Sequence, residues 1–167
     1  STTNKTLRAN GSSVTNAVSI KSGQAPYNYV KRDQANTLAT GIAAVEGYMA
    51  TTKLCSSYAW DTAINFIQET VVNYGTISNQ GNYKNTTFSY TDITGEAKTK
   101  SLNTVVLIST GQTTSVCNIY DMGGNNWEWT TEVSNVSGSP SVCRGGFFSN
   151  TYSSYPAGFR CGCATST

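Results

Sequence analysis

Apolar positions recur at three- and four-residue steps twice in the first half of the chain, and this period predicts two amphipathic helices. The first helix is expected to begin at Arg32 and to end near Glu46. The second is expected to begin with Ser57 as its N-cap, because a serine side chain there accepts hydrogen bonds from the first free backbone amides. The apolar stripes are Ala35, Leu38, Ile42 and Val45 in the first helix, and Trp60, Ala63, Ile64, Ile67 and Val71 in the second.

The second half of the chain shows the alternation and the turn residues that are typical of short strands. Between residues 73 and 112 we expect one strong strand, at Thr104–Ile108. Two helices followed by short irregular strands predict an α+β domain. Three further strands are expected at Trp127–Val133, at Val142–Phe148 with an interruption at its two glycines, and at Ala157–Cys163.

Residues 1–24 are polar and contain few apolar side chains, so they predict a linker or arm in front of the domain. We expect the domain itself to span residues 25–167, which is enough chain to bury a sizeable core. The chain has no initiator methionine and no signal-peptide pattern. We therefore expect it to be a piece of a longer protein.

The composition excludes several classes of function. The chain has no histidine, which removes Ser-His-Asp and Cys-His catalysis and every histidine-containing metal centre. A net charge of +2 gives no electrostatic footprint for nucleic acid, and no apolar run is long enough for membrane insertion. Ser, Thr and Asn make up more than a third of the chain and only 12% of residues are charged, a composition suited to adaptable binding surfaces.

The chain has five cysteines, an odd number that would leave at least one thiol unpaired in an oxidised framework, and their spacings do not match a zinc site. The interpretation we favour is incidental thiols in a reducing compartment, with room for one chance disulfide. A designed disulfide scaffold is the alternative. The cysteines are Cys55, Cys117, Cys143, Cys161 and Cys163.

A sharp bend is expected at Gly123–Asn126, because all four residues tolerate positive φ. Trp127 and Trp129 are two residues apart and share one face of an extended segment, so burial of both indoles would anchor the bend to the core. Asp121, Glu128 and the carbonyls of the bend supply several hard oxygens. These oxygens either form a calcium loop or satisfy the N–H groups of the turn itself.

Three motifs in this order resemble the formylglycine-generating-enzyme (sulfatase-modifying factor) family: Asn118–Thr130, Cys143–Gly146 and Gly158–Arg160. The stretch Tyr58–Ala63 is similar to the second helix of that family. The resemblance covers residues 26–160 and implies a C-type-lectin-like fold, with two helices plus short irregular antiparallel strands. Many relatives continue for another strand, so a C-terminal piece is expected to be missing.

The resemblance also implies which chemistry to look for. Copper-dependent members use a pair of cysteines between the second and third motifs, but Phe147–Ala157 contains no cysteine, and iron-dependent members use histidines. We therefore expect a non-catalytic domain, with an oxidase that uses Cys161 or Cys163 as the alternative. Ca²⁺ is the one cofactor that the resemblance implies, at Asp121, Gly123, Asn126 and Glu128.

The C-terminal segment carries the side chains of a binding surface, since aromatic rings give rigid contact area and small polar groups give adaptable hydrogen bonds. The segment resembles the variable proteins of diversity-generating retroelements, of the major tropism determinant type. An ordinary Ser/Tyr-rich loop is the alternative. The candidate ligand-binding residues are Phe147, Phe148, Ser149, Asn150, Tyr152, Ser153, Tyr155, Cys161 and Cys163, and all except Ser149 and Asn150 are expected to be diversified positions.

These features predict a ligand- or receptor-binding domain that engages a protein or a glycan on a cell surface. The resemblance implies display on a phage virion or a bacterial cell surface, facing the exterior, as a homo-oligomer or as part of a larger assembly. A structural decoration protein of the virion is a further alternative. Neither a nucleic-acid partner nor membrane insertion is expected.

Overall fold

A computed structural model describes residues 20–77, 79–112 and 115–164 of the protein, together with residues 7, 9, 11–14 and 18. Helices lie in the first half of this part of the chain and strands in the second. The helices are α1 (Arg32–Glu46), α2 (Ser57–Gln68) and the short α3 (Tyr74–Ile77), and the strands are β1 (Phe88–Thr91), β2 (Ala97–Lys100), β3 (Glu128–Val136), β4 (Ser139–Arg144) and β5 (Arg160–Cys163).

The two predicted helices are confirmed, with a correction at each end of α2: it ends at Gln68, so Val71 lies beyond it, and its N-cap also differs. Helix α1 ends before Gly47, which adopts the left-handed conformation that favours glycine. The N-cap of α2 is Ser56 rather than Ser57. Ser56 is extended and its side chain accepts a hydrogen bond from the Ala59 amide at 3.1 Å, whereas Ser57 is already helical and buried.

The strands form two antiparallel sheets. A three-stranded sheet has the order β3-β4-β5, and a separate hairpin pairs β1 with β2. The strands predicted at Trp127–Val133, Val142–Phe148 and Ala157–Cys163 are therefore confirmed as β3, β4 and β5. Strand β5 begins only at Arg160, and β4 stops at Arg144. It stops there because Gly145 and Gly146 both adopt positive φ, which turns the backbone out of the sheet. The hairpin was not predicted from the sequence.

The strand predicted at Thr104–Ile108 is wrong. In the described part of the chain this stretch belongs to neither sheet. Its backbone is satisfied by a side chain instead: the Ile108 amide donates to Asn125 Oδ1 at 3.0 Å, and Asn125 Nδ2 donates to the Ile108 carbonyl at 3.1 Å. A side-chain amide has the donor and acceptor of a peptide group, so it replaces a neighbouring strand here.

The core lies between α2 and the loops that precede β3 and β5. Trp60, Ile64 and Ile67 of α2 pack with buried residues of these loops, including Met122 and Ala157. The Trp60 indole N–H donates to the Ala157 carbonyl at 2.9 Å. This bond fixes the loop before β5 against α2, and so helps to place the C-terminal segment.

Half of the predicted arm at residues 1–24 lies outside the described residues. Its last residues are attached to the domain, since the Gly23 amide donates to the Thr110 carbonyl at 2.8 Å and the Thr110 amide donates to the Gln24 carbonyl at 2.9 Å. Among the described residues, no helix has both the length and the apolar character needed to cross a membrane.

Candidate functional site

The bend at residues 121–126 leaves no room for side chains at its two glycines. Gly124 has φ +69°, and a Cβ there would lie 2.6 Å from the carbonyl carbon of Asn82. A Cβ at Gly123 would lie 2.8 Å from the Gln80 carbonyl oxygen. Because backbone atoms cannot move aside cheaply, this bend requires glycine at both positions.

Two buried asparagines hold the bend in place. Asn82 Nδ2 donates to Asn125 Oδ1 at 3.0 Å and to the Val106 carbonyl at 2.7 Å. The Asn125 amide N–H donates to the Asn82 carbonyl at 2.8 Å. Together with the contacts to Ile108, these bonds connect three separate stretches of chain through two side-chain amides.

The tryptophans on either side of Glu128 are half-buried and connect the bend to different neighbours. The Trp129 indole N–H donates to the Val30 carbonyl at 2.8 Å, which joins β3 to the segment before α1. Trp127 lies in an aromatic cluster with ring centroids 6.1 Å from Phe147 and 5.8 Å from Tyr155. The Trp127 indole therefore places the predicted binding segment next to the bend.

The residues predicted to hold Ca²⁺ are only partly brought together. Asp121, Asn126 and Glu128 line one cavity of about 330 Å³ between α1 and the bend. Gly123 does not line this cavity, and its carbonyl carbon lies against Gly81, 2.8 Å from where a Cβ would stand there. Within the described residues, no cluster of three or more His, Cys, Asp or Glu side chains is arranged to hold a metal ion.

The two carboxyl groups of this cavity affect each other. Burial, together with the neighbouring Asp121 carboxylate, raises the pKa of Glu128 to about 8. One oxygen of Asp121 accepts a hydrogen bond from the Gly111 amide at 2.6 Å. Once both carboxyl groups are ionised, their oxygens and the oxygens of Asn126 are hard ligands that suit Ca²⁺, so three of the four predicted residues fit such an ion.

The predicted binding segment is attached to the fold by backbone hydrogen bonds as well as by the ring contacts of Phe147 and Tyr155 with Trp127. The Phe148 amide donates to the Asn125 carbonyl at 3.1 Å, and the Asn150 carbonyl accepts from the Lys84 amide at 2.8 Å. The Tyr152 amide donates to the Asn85 side chain at 3.2 Å. None of these three bonds uses a side chain of the segment itself.

The side chains of the candidate residues differ in how much the fold uses them. Asn150 caps a turn, since its Oδ1 accepts from the Phe147 amide at 3.0 Å. Tyr155 packs edge-on against Phe159 at 4.9 Å between ring centroids. Ser153 is exposed, and the remaining candidates are half-buried: Phe147, Phe148, Ser149, Asn150, Tyr152, Tyr155, Cys161 and Cys163.

A second cavity, of about 520 Å³, connects the tryptophans to this segment. We call it the aromatic cavity. Only two of its lining side chains are asparagines, and the others are aromatic, aliphatic or cysteine. It is lined by Leu7, Asn28, Tyr29, Val30, Leu107, Asn126, Trp127, Trp129, Cys143, Phe147, Phe148 and Cys163.

A buried lysine supports the loop that holds the segment, and sequence reasoning missed it. Lys100 is 1% exposed, and its ammonium donates to the carbonyls of Tyr83 at 2.6 Å and Thr86 at 2.7 Å. Burial lowers the pKa of Lys100. The loop between these carbonyls carries Lys84 and Asn85, which bind the segment. A lone lysine in an alternating polar stretch gives no signal of this role.

Charged side chains join α2 to the three-stranded sheet. Asp61 forms ion pairs with both Arg144 and Arg160, and Glu132 accepts from Arg160 Nε at 3.3 Å. Arg144 is fully buried, with its guanidinium 5.8 Å from the centre of the Trp60 ring. The arginines of the second and third motifs therefore stabilise the packing of the sheet on α2.

The cysteines form one disulfide among the described residues, between Cys143 of β4 and Cys163 of β5. Cys55, Cys117 and Cys161 are free thiols. This agrees with the sequence interpretation of mostly unpaired thiols and one disulfide. It also assigns Cys163, a candidate ligand-binding residue, a structural bond.

Comparison with known proteins gives one match. The family model described as the sulfatase-modifying factor enzyme 1-like domain matches residues 40–167. No curated protein and no solved structure matches the chain significantly. The chain therefore belongs to the sulfatase-modifying factor enzyme 1-like family, and its helices and short antiparallel strands form the α+β, C-type-lectin-like fold that its motifs predicted.

Proposed function

We propose that this protein is a non-catalytic ligand-binding domain whose binding face is the C-terminal segment and the adjoining aromatic cavity. The observation that carries the proposal is the arrangement of residues 147–155, which are held by their backbone next to a cavity of about 520 Å³. A backbone attachment leaves side chains available for a ligand. It also lets them vary without loss of the fold.

The cavity suits a ligand group that is flat or apolar. It is lined by Trp127, Trp129, Phe147 and Phe148, and such rings supply large contact areas at low cost in conformational entropy. An aromatic or aliphatic side chain of a protein, or the apolar face of a sugar ring, matches this lining. A protein or a glycan on a cell surface is therefore the ligand class that we propose.

Two features support a binding role over catalysis. The chain has no histidine, and the interval between its second and third motifs has no cysteine, so neither of the family's known chemistries has its residues. Copper titration separates the two functions. Stoichiometric Cu(I) binding that is lost in a Cys161→Ser, Cys163→Ser double variant would favour the oxidase. A virion decoration protein is a different alternative, and it would bury the aromatic cavity between subunits.

Display on a phage virion or a bacterial surface, in a homo-oligomer or larger assembly, belongs to the same proposal, as does diversification of the segment. The gene's neighbourhood tests diversification directly. We expect a near-copy of codons 147–163, with adenines at the mismatched positions, beside a reverse transcriptase gene. Without such a copy, the segment is an ordinary Ser/Tyr-rich loop of a binding domain.

Ca²⁺ is proposed as a structural ion at Asp121, Asn126 and Glu128, where it would neutralise two neighbouring carboxylates. Thermal unfolding with Ca²⁺ and with chelator tests this. We expect a higher melting temperature with Ca²⁺ in the wild type, and no difference in Asp121→Asn. An equal melting temperature in both solutions for the wild type would remove calcium from the proposal.

The binding proposal is tested with the purified domain on a glycan array and on intact bacterial cells. Phe148→Ala and Tyr152→Ala are expected to weaken binding by about 1–3 kcal/mol each, the range of an interface hot spot. Tyr58→Ala is the matched control, since Tyr58 is 88% exposed on α2, outside the proposed face. If the control weakens binding as much as the other two variants, the binding face is elsewhere.

A further inference from the structure

Three of the five cysteines lie on one face of the β4–β5 pair. The strand register places Cys143 of β4 directly opposite Cys161 of β5, and Ser141 opposite Cys163. Residues two apart on a strand point to the same face, and directly opposed residues share a face. Cys161 and Cys163 therefore both face the side of the sheet that carries Cys143.

Cys143 has two neighbours within reach of a disulfide. Its bond to Cys163 runs diagonally, with the two Cα atoms 6.4 Å apart. Directly opposed residues of antiparallel strands have Cα atoms roughly 4.5–5.5 Å apart, which lies inside the range of about 4.4–6.8 Å that disulfides span. The register partner Cys161, a half-buried free thiol, thus meets the same distance condition.

We propose that Cys143, Cys161 and Cys163 form a thiol–disulfide exchange site, in which Cys143 bonds to either neighbour. The Cys161 thiolate attacks Cys143 Sγ, and the Cys143–Cys161 bond forms as the Cys143–Cys163 bond breaks. The electron pair of the broken bond leaves with Cys163 Sγ, which takes up the proton that Cys161 released. The number of disulfides is unchanged, so the step needs no oxidant or reductant.

The exchange changes the wall of the aromatic cavity, because Cys163 is one of its lining residues. In one isomer Cys163 contributes a disulfide sulfur, and in the other it contributes a free thiol. Cys163 is also the last residue of β5, so its release would loosen the end of that strand. This consequence for a ligand rests on the proposed function, whereas the exchange itself does not and is measured without a ligand.

The other two thiols provide internal controls. Cys55 precedes α2, and its carbonyl accepts from the Thr131 amide at 3.0 Å. Cys117 contacts the Thr70 hydroxyl, with Sγ and Oγ1 3.4 Å apart. Both belong to stretches of chain outside the β4–β5 pair, so we expect them to stay reduced in either isomer.

The first experiment uses the full chain with Cys163→Ser, purified in air, and counts free thiols after denaturation in acid. We expect two free thiols and a Cys143–Cys161 bond in fragment mass spectra, against three free thiols in the wild type. Four free thiols would overturn the proposal. Cys117→Ser is the matched control, which should keep the Cys143–Cys163 bond and lose one free thiol.

The second experiment measures exchange in the wild type. The protein is incubated with a catalytic amount of a small thiol, trapped by acid and alkylated, and the pairing is read from fragments of the C-terminal peptide. We expect both pairings, with the Cys143–Cys161 isomer at about one tenth or more of the total. If Cys143–Cys163 is found alone at every time point, exchange does not occur, even if Cys163→Ser forms the other bond.

Discussion

The bend at residues 121–126 and the segment at residues 147–155 are neighbours, yet they differ in how much their polar side chains contribute to holding them in place. The bend depends on its side chains and on their absence: Asn125 replaces a strand for Ile108, and Gly124 leaves no space for a Cβ. The segment is held by backbone groups that bind Lys84, Asn85 and Asn125. We therefore expect the bend to tolerate few substitutions, and the segment to tolerate them at exposed positions such as Ser153.

The largest effect is expected at the bend. Gly124→Ala should destabilise the protein by about 3–5 kcal/mol. The new Cβ would meet backbone atoms of Asn82, and residue 124 itself has a left-handed conformation that disfavours alanine. Gly41→Ala is the matched control. Gly41 lies within α1, and a Cβ there would meet nothing within 4 Å, so alanine should stabilise by about 0.5–1 kcal/mol. Urea unfolding measures both, and equal effects would contradict the comparison.

The next effect separates the side-chain amide from the turn itself. Asn125→Ala should lower the free energy of unfolding by about 2–4 kcal/mol. It removes the partner of the buried Ile108 N–H and C=O groups and one acceptor of the Asn82 side-chain amide. Asn65→Ala, at an exposed position of α2, should change stability by less than about 0.5 kcal/mol. A small effect at Asn125 would mean that water replaces its hydrogen bonds.

A pH dependence is expected next to the bend. Glu128 has a folded-state pKa of about 8 against an ordinary value of 4.5. Between these two pH values, the Glu128 carboxyl group is protonated in the folded protein and ionised in the unfolded chain. In chelator, the contribution of Glu128 to the free energy of unfolding should therefore be greatest below about pH 4.5 and should fall by about 4 kcal/mol as the pH rises to 8.

Glu128→Gln should remove this loss, because the amide does not ionise. Urea unfolding at pH 5, 7 and 9 measures the slope in the wild type and in the variant. A wild-type slope that survives in Glu128→Gln would assign the pH dependence to another group.

The smallest effect is expected in the segment. Ser153→Tyr should leave the melting temperature within about 2 °C of the wild type, because Ser153 is exposed. The same substitution at Ser141, which is 1% exposed within β4, should prevent folding, since a buried strand position has no room for the ring. If Ser153→Tyr also unfolds the protein, the segment is not a tolerant surface.

Local patterns predicted much of the fold. Helix α1 and most of α2 follow from apolar periodicity, and β3 follows from alternation, because each of these elements buries one face. The cap of α2 was assigned one residue late, since both Ser56 and Ser57 have suitable side chains. The β1–β2 hairpin was missed because its strands are only four residues long and mostly exposed.

The candidate site was predicted less completely. The bend, the two tryptophans and the binding segment could be named from the sequence. Lys100 and Asn85 could not, because each binds backbone groups that are 14 to 67 positions away in the chain. Asn125 was expected in the bend, but its role as the partner of Ile108 was not.

Local conformation could be deduced from the chain alone: two amphipathic helices, a glycine-asparagine bend followed by two tryptophans, and the motifs of the family. These depend on residue spacing and on backbone preferences, both of which are local. The packing of the elements settles which polar groups meet, that Thr104–Ile108 binds a side chain instead of a strand, and that Cys143 bonds to Cys163. Hydrogen bonds and disulfides between distant residues leave no period in the chain, because they depend on how the elements pack.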